Sequence, residues 1–266
     1  MARTYVITGS ASGIGATTAQ LLRDRGERVI GIDLKDADIQ ADLSQPQARA
    51  DAAAKAVDLA GGTIDAVIAC AGISAPIAKT ISVNYFGVTE LLAALQPALA
   101  AAEAPRAAVV SSMASLQPNS PEMVEAALAG DEAKAVEIAQ QLADQGPEIG
   151  YLVYPSSKRA LSRWVRRASI SPEWAGAGIP LNAVAPGTVL TPMTAGLLAT
   201  PEGAKMVDAA VPMPLNGHQS PESIAYLLIW LTSPENTHVA GQVIYNDGGA
   251  DATLRGDDVW SWNDPQ

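Results

Sequence analysis

The stretch YPSSK at Tyr154–Lys158 sets a phenol and an ammonium four residues apart, a separation that places both on one face of a helix. Free tyrosine titrates near ~10 and is a poor base at neutral pH, but a cation within a few ångströms favours its charged form. The pair is therefore suited to passing a proton to or from a hydroxyl. The spacing alone is equally met by a helix that starts at Pro155 and leaves Lys158 solvated one turn later, so residues elsewhere must decide. TGSASGIG at Thr8–Gly15 lies between a strand pattern and a helix pattern. Such a turn lets backbone N–H groups and a helix N-terminus meet a phosphate, with Gly9, Gly13 and Gly15 allowing close approach. Its spacing is TGxxxGIG and not GxGxxG. Eighteen residues beyond Gly15 stands Asp33, where a carboxylate can accept hydrogen bonds from the adenosine ribose hydroxyls of NAD.

These groups need a scaffold that gathers strand ends. Short β-branched runs at Thr4–Thr8, Arg28–Asp33, Asp65–Cys70, Ala107–Ser111, Pro180–Ala185 and Gln242–Asn246 read as buried strands. Between them, Ile14–Arg25, Pro46–Leu59, Val83–Ala101, Lys158–Ser169 and Glu222–Leu231 have helical length and apolar spacing. The alternation predicts an α/β fold, a Rossmann-like doubly wound parallel sheet with helices on both faces. Ligands of such sheets bind past the carboxyl ends of the strands. A chain of 266 residues, 48% apolar, is expected to form one domain over residues 1–266.

Composition narrows the chemistry. No run of about 18 apolar residues occurs, and MARTYVITGS passes straight into a strand pattern, so a soluble cytoplasmic protein with no membrane partner is expected. Cys70 is the only cysteine, which excludes an internal disulfide and a thiolate zinc cluster. His218 and His238 are the only histidines, each in a loop-like context without an obvious partner. A Ser-His-Asp hydrolase or a histidine metal site is therefore disfavoured, and no metal is expected. The net charge of −11 opposes nucleic acid as a partner.

Taken in order, TGSASGIG, the CAG of Cys70–Gly72, VNYFG around Asn84, the pair Ser111–Ser112, YPSSK, and PGTVLT from Pro186 to Thr191 resemble the motif set of the short-chain dehydrogenase/reductase family. The match extends to NDGG at Asn246–Gly249. Within the family, IDLKDADIQADLS at Ile32–Ser44 and the long segment ahead of YPSSK are similar to bacterial 3α-hydroxysteroid dehydrogenase/carbonyl reductases. The resemblance implies NAD as cofactor and Tyr154 as the group that removes the alcohol proton. It implies that Lys158 also binds the nicotinamide ribose, that Ser112 holds the substrate oxygen and that Asn84 orders a water relay to the lysine. Ser12 and Ile14 join the glycines of the phosphate loop, Asp42 and Leu43 flank the adenine after a third strand, and Ala71 and Gly72 approach the cofactor. Pro186, Gly187, Val189 and Thr191 form the nicotinamide side. Where this chain has Cys70 the family usually has asparagine, so an amide that bridges central strands is lost. Strand alternation turns only one of Ser111 and Ser112 toward the cofactor, and the family pattern favours the second.

Ser112 and Tyr154 are 42 residues apart, a gap too long for structureless chain in a compact domain. PEMVEAALAGDEAKAVEIAQQLADQ reads instead as two amphipathic helices, with Met123, Ala127 and Leu128 on one stripe and Val136, Ile138, Ala139 and Leu142 on another. This insertion, about 116–150, is expected either to cap the cleft or to cover a helix that many relatives use for assembly, the second being favoured. Residues about 188–215, carrying Met193, Leu197, Leu198, Met206 and Met213, read as an apolar substrate loop or as core packing. Met113, Tyr151 and Met193 are candidate substrate contacts, and Trp260 and Trp262 could wall the cleft or a subunit contact. No arginine follows the Pro-Gly motif closely enough to suggest a carboxylate or phosphate anchor.

The expected reaction is thus the interconversion of a hydrophobic secondary alcohol and its ketone, of steroid, aryl-ketone or amino-alcohol type. A homo-oligomer is implied, a dimer before a tetramer. Two other readings stand beside it. A nucleotide-sugar epimerase would use the same Tyr/Lys pair but usually carries a larger C-terminal domain. A non-catalytic dinucleotide sensor would be marked by loss of Tyr154, Lys158 or Ser112, all of which are present.

Overall fold

The computed structural model describes residues 2–263 and contains a seven-stranded parallel sheet. Its strands are β1 (Thr4–Thr8), β2 (Arg28–Asp33), β3 (Ile39–Gln40), β4 (Ala66–Ala69), β5 (Arg106–Val110), β6 (Leu181–Pro186) and β7 (Val243–Asn246). They lie in the order β3-β2-β1-β4-β5-β6-β7. Six match the apolar runs to within a residue at either end. The remaining one, β3, pairs Ile39 and Gln40 with Ile32 and Asp33 and is too short to leave a periodic signal. The chain reverses direction across the sheet between β1 and β4, the switch point where such folds open a crevice.

The helices are α1 (Gly13–Asp24), α2 (Pro46–Ala60), α3 (Lys79–Ile81), α4 (Gly87–Ala100), α5 (Pro121–Leu128), α6 (Glu132–Ala143), α7 (Pro147–Gly150), α8 (Val153–Ala168), α9 (Pro192–Ala195), α10 (Pro201–Ala210), α11 (Pro221–Leu231) and α12 (Ala250–Arg255). Side-chain alternation along β1 explains why both faces of the sheet need cover. Val6 joins Ile30, Val67 and the helices α2, α4 and α8 on one face, while Tyr5 and Ile7 join Leu22 of α1 and Leu228 of α11 on the other.

Three local features shape the site. Ser12 caps α1 without a side-chain cap bond, so the first-turn N–H groups are left facing the crevice. The helical run expected at Val83–Ala101 begins as a π-turn, Ser82–Phe86, before α4. Such turns are rare and concentrate at functional sites, and this one carries Asn84. Helix α8 begins at Val153, so Tyr154 lies inside its first turn instead of ahead of it. Pro155 is then the third helical residue, where an N–H has no intrahelical partner to lose.

The insertion forms helices because its ends are capped. The Ser120 hydroxyl accepts from the Met123 N–H, Pro121 follows at the first helical position, and the Asp131 carboxylate accepts from the Lys134 N–H. Met123 and Ala127 of α5 and Ile138 and Ala139 of α6 are buried, while Leu128, Val136 and Leu142 are half-buried at the edge. Helix α5 packs on α8 and on α6, with an ion pair from Arg163 to Glu125. The insertion thus covers the outer face of α8. Helices α9 and α10 contain no buried residue, and Met206 is 74% exposed. Met213 differs: its sulfur accepts from the Thr188 N–H at 3.1 Å and sits against Gly187. Trp260 and Trp262 are exposed.

Candidate active site

Past the carboxyl ends of the strands lies a cleft of about 370 Å³. At one end is the glycine loop. Gly9 has φ +67°, and a Cβ there would come within 2.9 Å of the Ala71 nitrogen; one at Gly15 would collide with the Gly9 carbonyl. The backbone space that admits a ligand therefore depends on both glycines. The Ala71 N–H donates to Thr8 Oγ1 at 3.0 Å. The strand end that lacks the family's asparagine at Cys70 is held in this way by a hydroxyl on β1.

Asp33 closes β2 on the cleft wall. Its carboxylate accepts from the Ala11 N–H at 2.9 Å and the Leu34 N–H at 2.7 Å, which fixes its orientation. Lys35 is exposed and off the lining. Asp42 accepts from the Ser44 N–H and hydroxyl through one oxygen and from Lys79 Nζ, at 2.8 Å, through the other. Burial works against its charge, but these bonds outweigh it and hold its pKa below the ordinary value.

At the other end Ser112, Tyr154 and Lys158 converge. Ser111 follows β5 and spends its hydroxyl on helix α8, 3.2 Å from the Lys158 carbonyl and 2.7 Å from Ser162 Oγ. The Ser112 hydroxyl instead accepts from the Ala114 N–H at 3.1 Å and stands beside the Tyr154 phenol. Lys158 is 4% exposed and donates to the Val110 carbonyl at 2.8 Å, with Nζ 5.9 Å from the centre of the Tyr154 ring. Burial pushes the Tyr154 phenol up to about 12, against a pull downward from the Ser112 hydroxyl. Burial likewise pushes Lys158 down to about 8. The ammonium is charged at neutral pH and the phenol is protonated. Cys70, also on the lining, is pushed by burial up to about 12 and is held as an unreactive thiol.

Asn84 is fully buried behind the cleft. Its amide bonds both the N–H and the carbonyl of Ile73 at 2.9 Å and donates to Ser157 Oγ at 3.1 Å. A Cβ at Gly72 would sit 3.3 Å from its oxygen and 3.5 Å from Lys158 Nζ, so asparagine and lysine meet behind that glycine. The lining takes in every cofactor residue expected from the sequence: the loop residues Gly9 and Ser12–Gly15, then Asp33, Asp42, Leu43, Ala71, Gly72, Tyr154, Lys158, Pro186, Gly187, Val189 and Thr191. Of the candidate substrate contacts it includes Met193 alone. Met113 opens the turn capped by Ser112 and is buried, and Tyr151 packs 6.2 Å from the Tyr154 ring outside the lining. Trp260, Trp262 and residues 116–150 are also absent from it.

Residues 3–127 match the family model for short chain dehydrogenase, and residues 120–251 match that for enoyl-(acyl carrier protein) reductase. A curated relative, the 3-alpha-hydroxysteroid dehydrogenase/carbonyl reductase of Comamonas testosteroni, is 38% identical over 94% of this chain and 97% of its own. The chain belongs to the short-chain dehydrogenase/reductase family. Among solved structures, the 3-alpha-hydroxysteroid dehydrogenase from Pseudomonas sp. B-0831 complexed with NADH superposes with a TM-score of 0.87 and 41% identity, covering 96% of this chain and 99% of that one. A more distant relative, galactitol 2-dehydrogenase (L-tagatose-forming) of Cereibacter sphaeroides, is 30% identical over 91% of this chain and 92% of its own.

Sequence reasoning missed several members of the site. Lys79 reaches Asp42 across 37 positions, and Met213 reaches the Pro-Gly turn from the far end of the loop. Arg49 bonds the carbonyls of Leu43 and Ser44 from behind the cleft. Away from the cleft, His218, read as having no obvious partner, bonds Asp208 of α10 at 2.7 Å. None of these contacts has a local spacing that would announce it.

Proposed function

We propose that the protein is an NAD-dependent oxidoreductase that interconverts a hydrophobic secondary alcohol and its ketone, with hydroxysteroids as the first substrate class to test. The observation that carries this reading is the convergence of Ser112, Tyr154 and Lys158 at one end of a cleft whose other end holds the glycine loop and Asp33. The residues fit a dinucleotide: two glycines clear the path to the uncapped N-terminus of α1, and the Asp33 carboxylate is held by backbone donors. When bound, NAD supplies the hydride acceptor or donor.

The glycine loop with Ser12 and Ile14 would hold the pyrophosphate, Asp33 the adenosine ribose, and Asp42 with Leu43 the adenine. Ala71 and Gly72 would line the middle. Pro186 and Gly187 would line the nicotinamide side, Thr191 and the backbone of Val189 would hold the carboxamide, and Lys158 the nicotinamide ribose. Ser112 then hydrogen-bonds the substrate oxygen, and in reduction the Tyr154 phenol gives its proton to that oxygen. In oxidation Tyr154 would first have to ionise beside the Lys158 ammonium and the positive nicotinamide ring before taking the alcohol proton. Lys158 supplies positive charge beside the phenol, and Asn84, buried against Gly72 as the lysine is, would order the water relay to it. Met193 and the exposed apolar side chains of residues 188–215 would cover the substrate.

The same reading places one catalytic domain over residues 1–266, with residues 116–150 as an appendage on α8, working in the cytoplasm as a homodimer. The epimerase and sensor alternatives draw no support from the relatives. The deciding experiment follows NADH appearance across a panel of hydroxysteroids and simpler hydrophobic secondary alcohols, with NAD and NADP compared. A 2′-phosphate would meet the Asp33 carboxylate, so NAD should be preferred by at least roughly tenfold in kcat/KM, and Asp33→Ala should erase that preference. No turnover of any secondary alcohol would overturn the reading.

A further inference from the structure

Arg49 is a charged side chain that the chemistry does not use, yet it is 1% exposed. Its Nε donates to the Leu43 carbonyl at 2.7 Å, and its Nη2 donates to the carbonyls of Ser44 at 3.1 Å and Ser82 at 3.2 Å. The same guanidinium is gripped by the Glu132 carboxylate in a two-pronged pair of 2.6 and 2.7 Å, and by Glu90 at 2.9 Å. Glu132 is the first residue of α6, inside the insertion, and the more buried of the two carboxylates. The three carbonyls belong to functional ground. Leu43 and Ser44 form the segment behind the adenine end of the cleft, where Ser44 also holds Asp42. Ser82 opens the π-turn that carries Asn84.

We infer that Arg49 is a positioning residue for cofactor binding, held in place by Glu132, and that the insertion thereby sets the affinity for the adenosine half of the cofactor. A guanidinium buried without a carboxylate would be drawn toward water, and its grip on the carbonyls would go with it. With Glu132 in place, Arg49 presents donors at fixed angles and holds the adenine wall and the base of the π-turn as one unit. The insertion thus acts on the cleft although none of its residues lines it.

The inference rests on the reading that Asp42 and Leu43 border the adenine. Its test uses the full-length protein and two probes: NADH and reduced nicotinamide mononucleotide, which lacks the adenosine. Dissociation constants come from nicotinamide fluorescence. Glu132→Gln should weaken NADH by about tenfold and leave the mononucleotide within about twofold, raising KM for NADH without changing kcat at saturation. Arg49→Lys, which keeps the charge but not the planar fork, should shift NADH in the same direction. Lys134→Ala, which removes an exposed ion pair on α6, should change nothing. Unaltered NADH affinity in Glu132→Gln, or equal weakening of both probes, overturns the inference. Should Glu132→Gln fail to fold, the double variant Arg49→Met, Glu132→Leu replaces the buried charges with apolar volume and must show the same selective loss; full NADH affinity there is equally fatal. A wild-type protein that binds NADH no more tightly than the mononucleotide would instead refute the adenine placement itself.

Discussion

At the residue scale, the site joins a phenol that burial holds protonated to an ammonium that burial brings near neutrality, Tyr154 at about 12 and Lys158 at about 8. Deleting only the phenol oxygen, Tyr154→Phe, should lower turnover by roughly 10²–10⁴-fold while leaving NADH affinity nearly intact; retention of more than about a tenth of wild-type turnover would remove Tyr154 from its role. The lysine gives a prediction in pH. Its charged form lies below about 8, so ketone reduction, which needs the phenol protonated and the ammonium charged, should be fastest at low pH. The kcat/KM for the ketone should fall as pH rises through about 8, since Tyr154 stays protonated well above that point. Reduced nicotinamide carries no ring charge to move the titration. A profile flat from pH 6 to 10 would show that the lysine charge is not required. YPSSK and the glycine loop were readable because their chemistry is carried by residues close in sequence. Asp42 was readable only in part: its place came from resemblance, while its partner Lys79 is 37 positions away.

At the scale of elements, the insertion was legible as two capped helices because amphipathic spacing and Ser120, Pro121 and Asp131 are local signals. Where those helices dock was not, since an apolar stripe says only that something must cover it. Docking on α8, with no insertion residue on the cleft lining, supports the appendage over the cap. The absence of insertion residues from the cleft suggests that deletion would spare the cofactor, but the grip of Glu132 on Arg49 argues otherwise. Replacing Glu122–Gln145 with a short Gly/Ser bridge removes the bidentate partner of a buried cation and leaves it Glu90, a loss of up to about 3–5 kcal/mol. The melting temperature should drop by roughly 6–20 °C, and NADH affinity should weaken with it. Calorimetry and a fluorescence titration on the same sample check both, and an unchanged melting temperature would mean that Glu90 alone suffices for Arg49.

At the scale of the whole molecule, β7 is an edge strand, and α11 beside it exposes Tyr226 and Trp230. The two elements are tied where Asn246 donates to the Ser223 carbonyl at 3.0 Å. With the outer face of α8 covered by the insertion, we propose the face of β7 and α11 for a two-fold contact between copies. Light scattering should give the mass of a dimer. Tyr226→Glu together with Trp230→Glu should give a monomer that still binds NADH, since neither residue lines the cleft. A dimer that survives both changes places the contact elsewhere.

The sequence by itself determined six of the seven strands, the main helices between them, the parallel sheet and the glycine-loop and YPSSK residues that meet on the cleft, because period, turn chemistry and short-range spacing are properties of neighbours in the chain. Only the tertiary structure decided that Tyr154 enters the first turn of α8, that the Thr8 hydroxyl holds the Ala71 N–H, and that Arg49 reaches from α2 to Glu132, 83 positions away. Each of these depends on which faces pack together. Close packing and the need to pair every buried charge select those faces from many that the same apolar pattern permits.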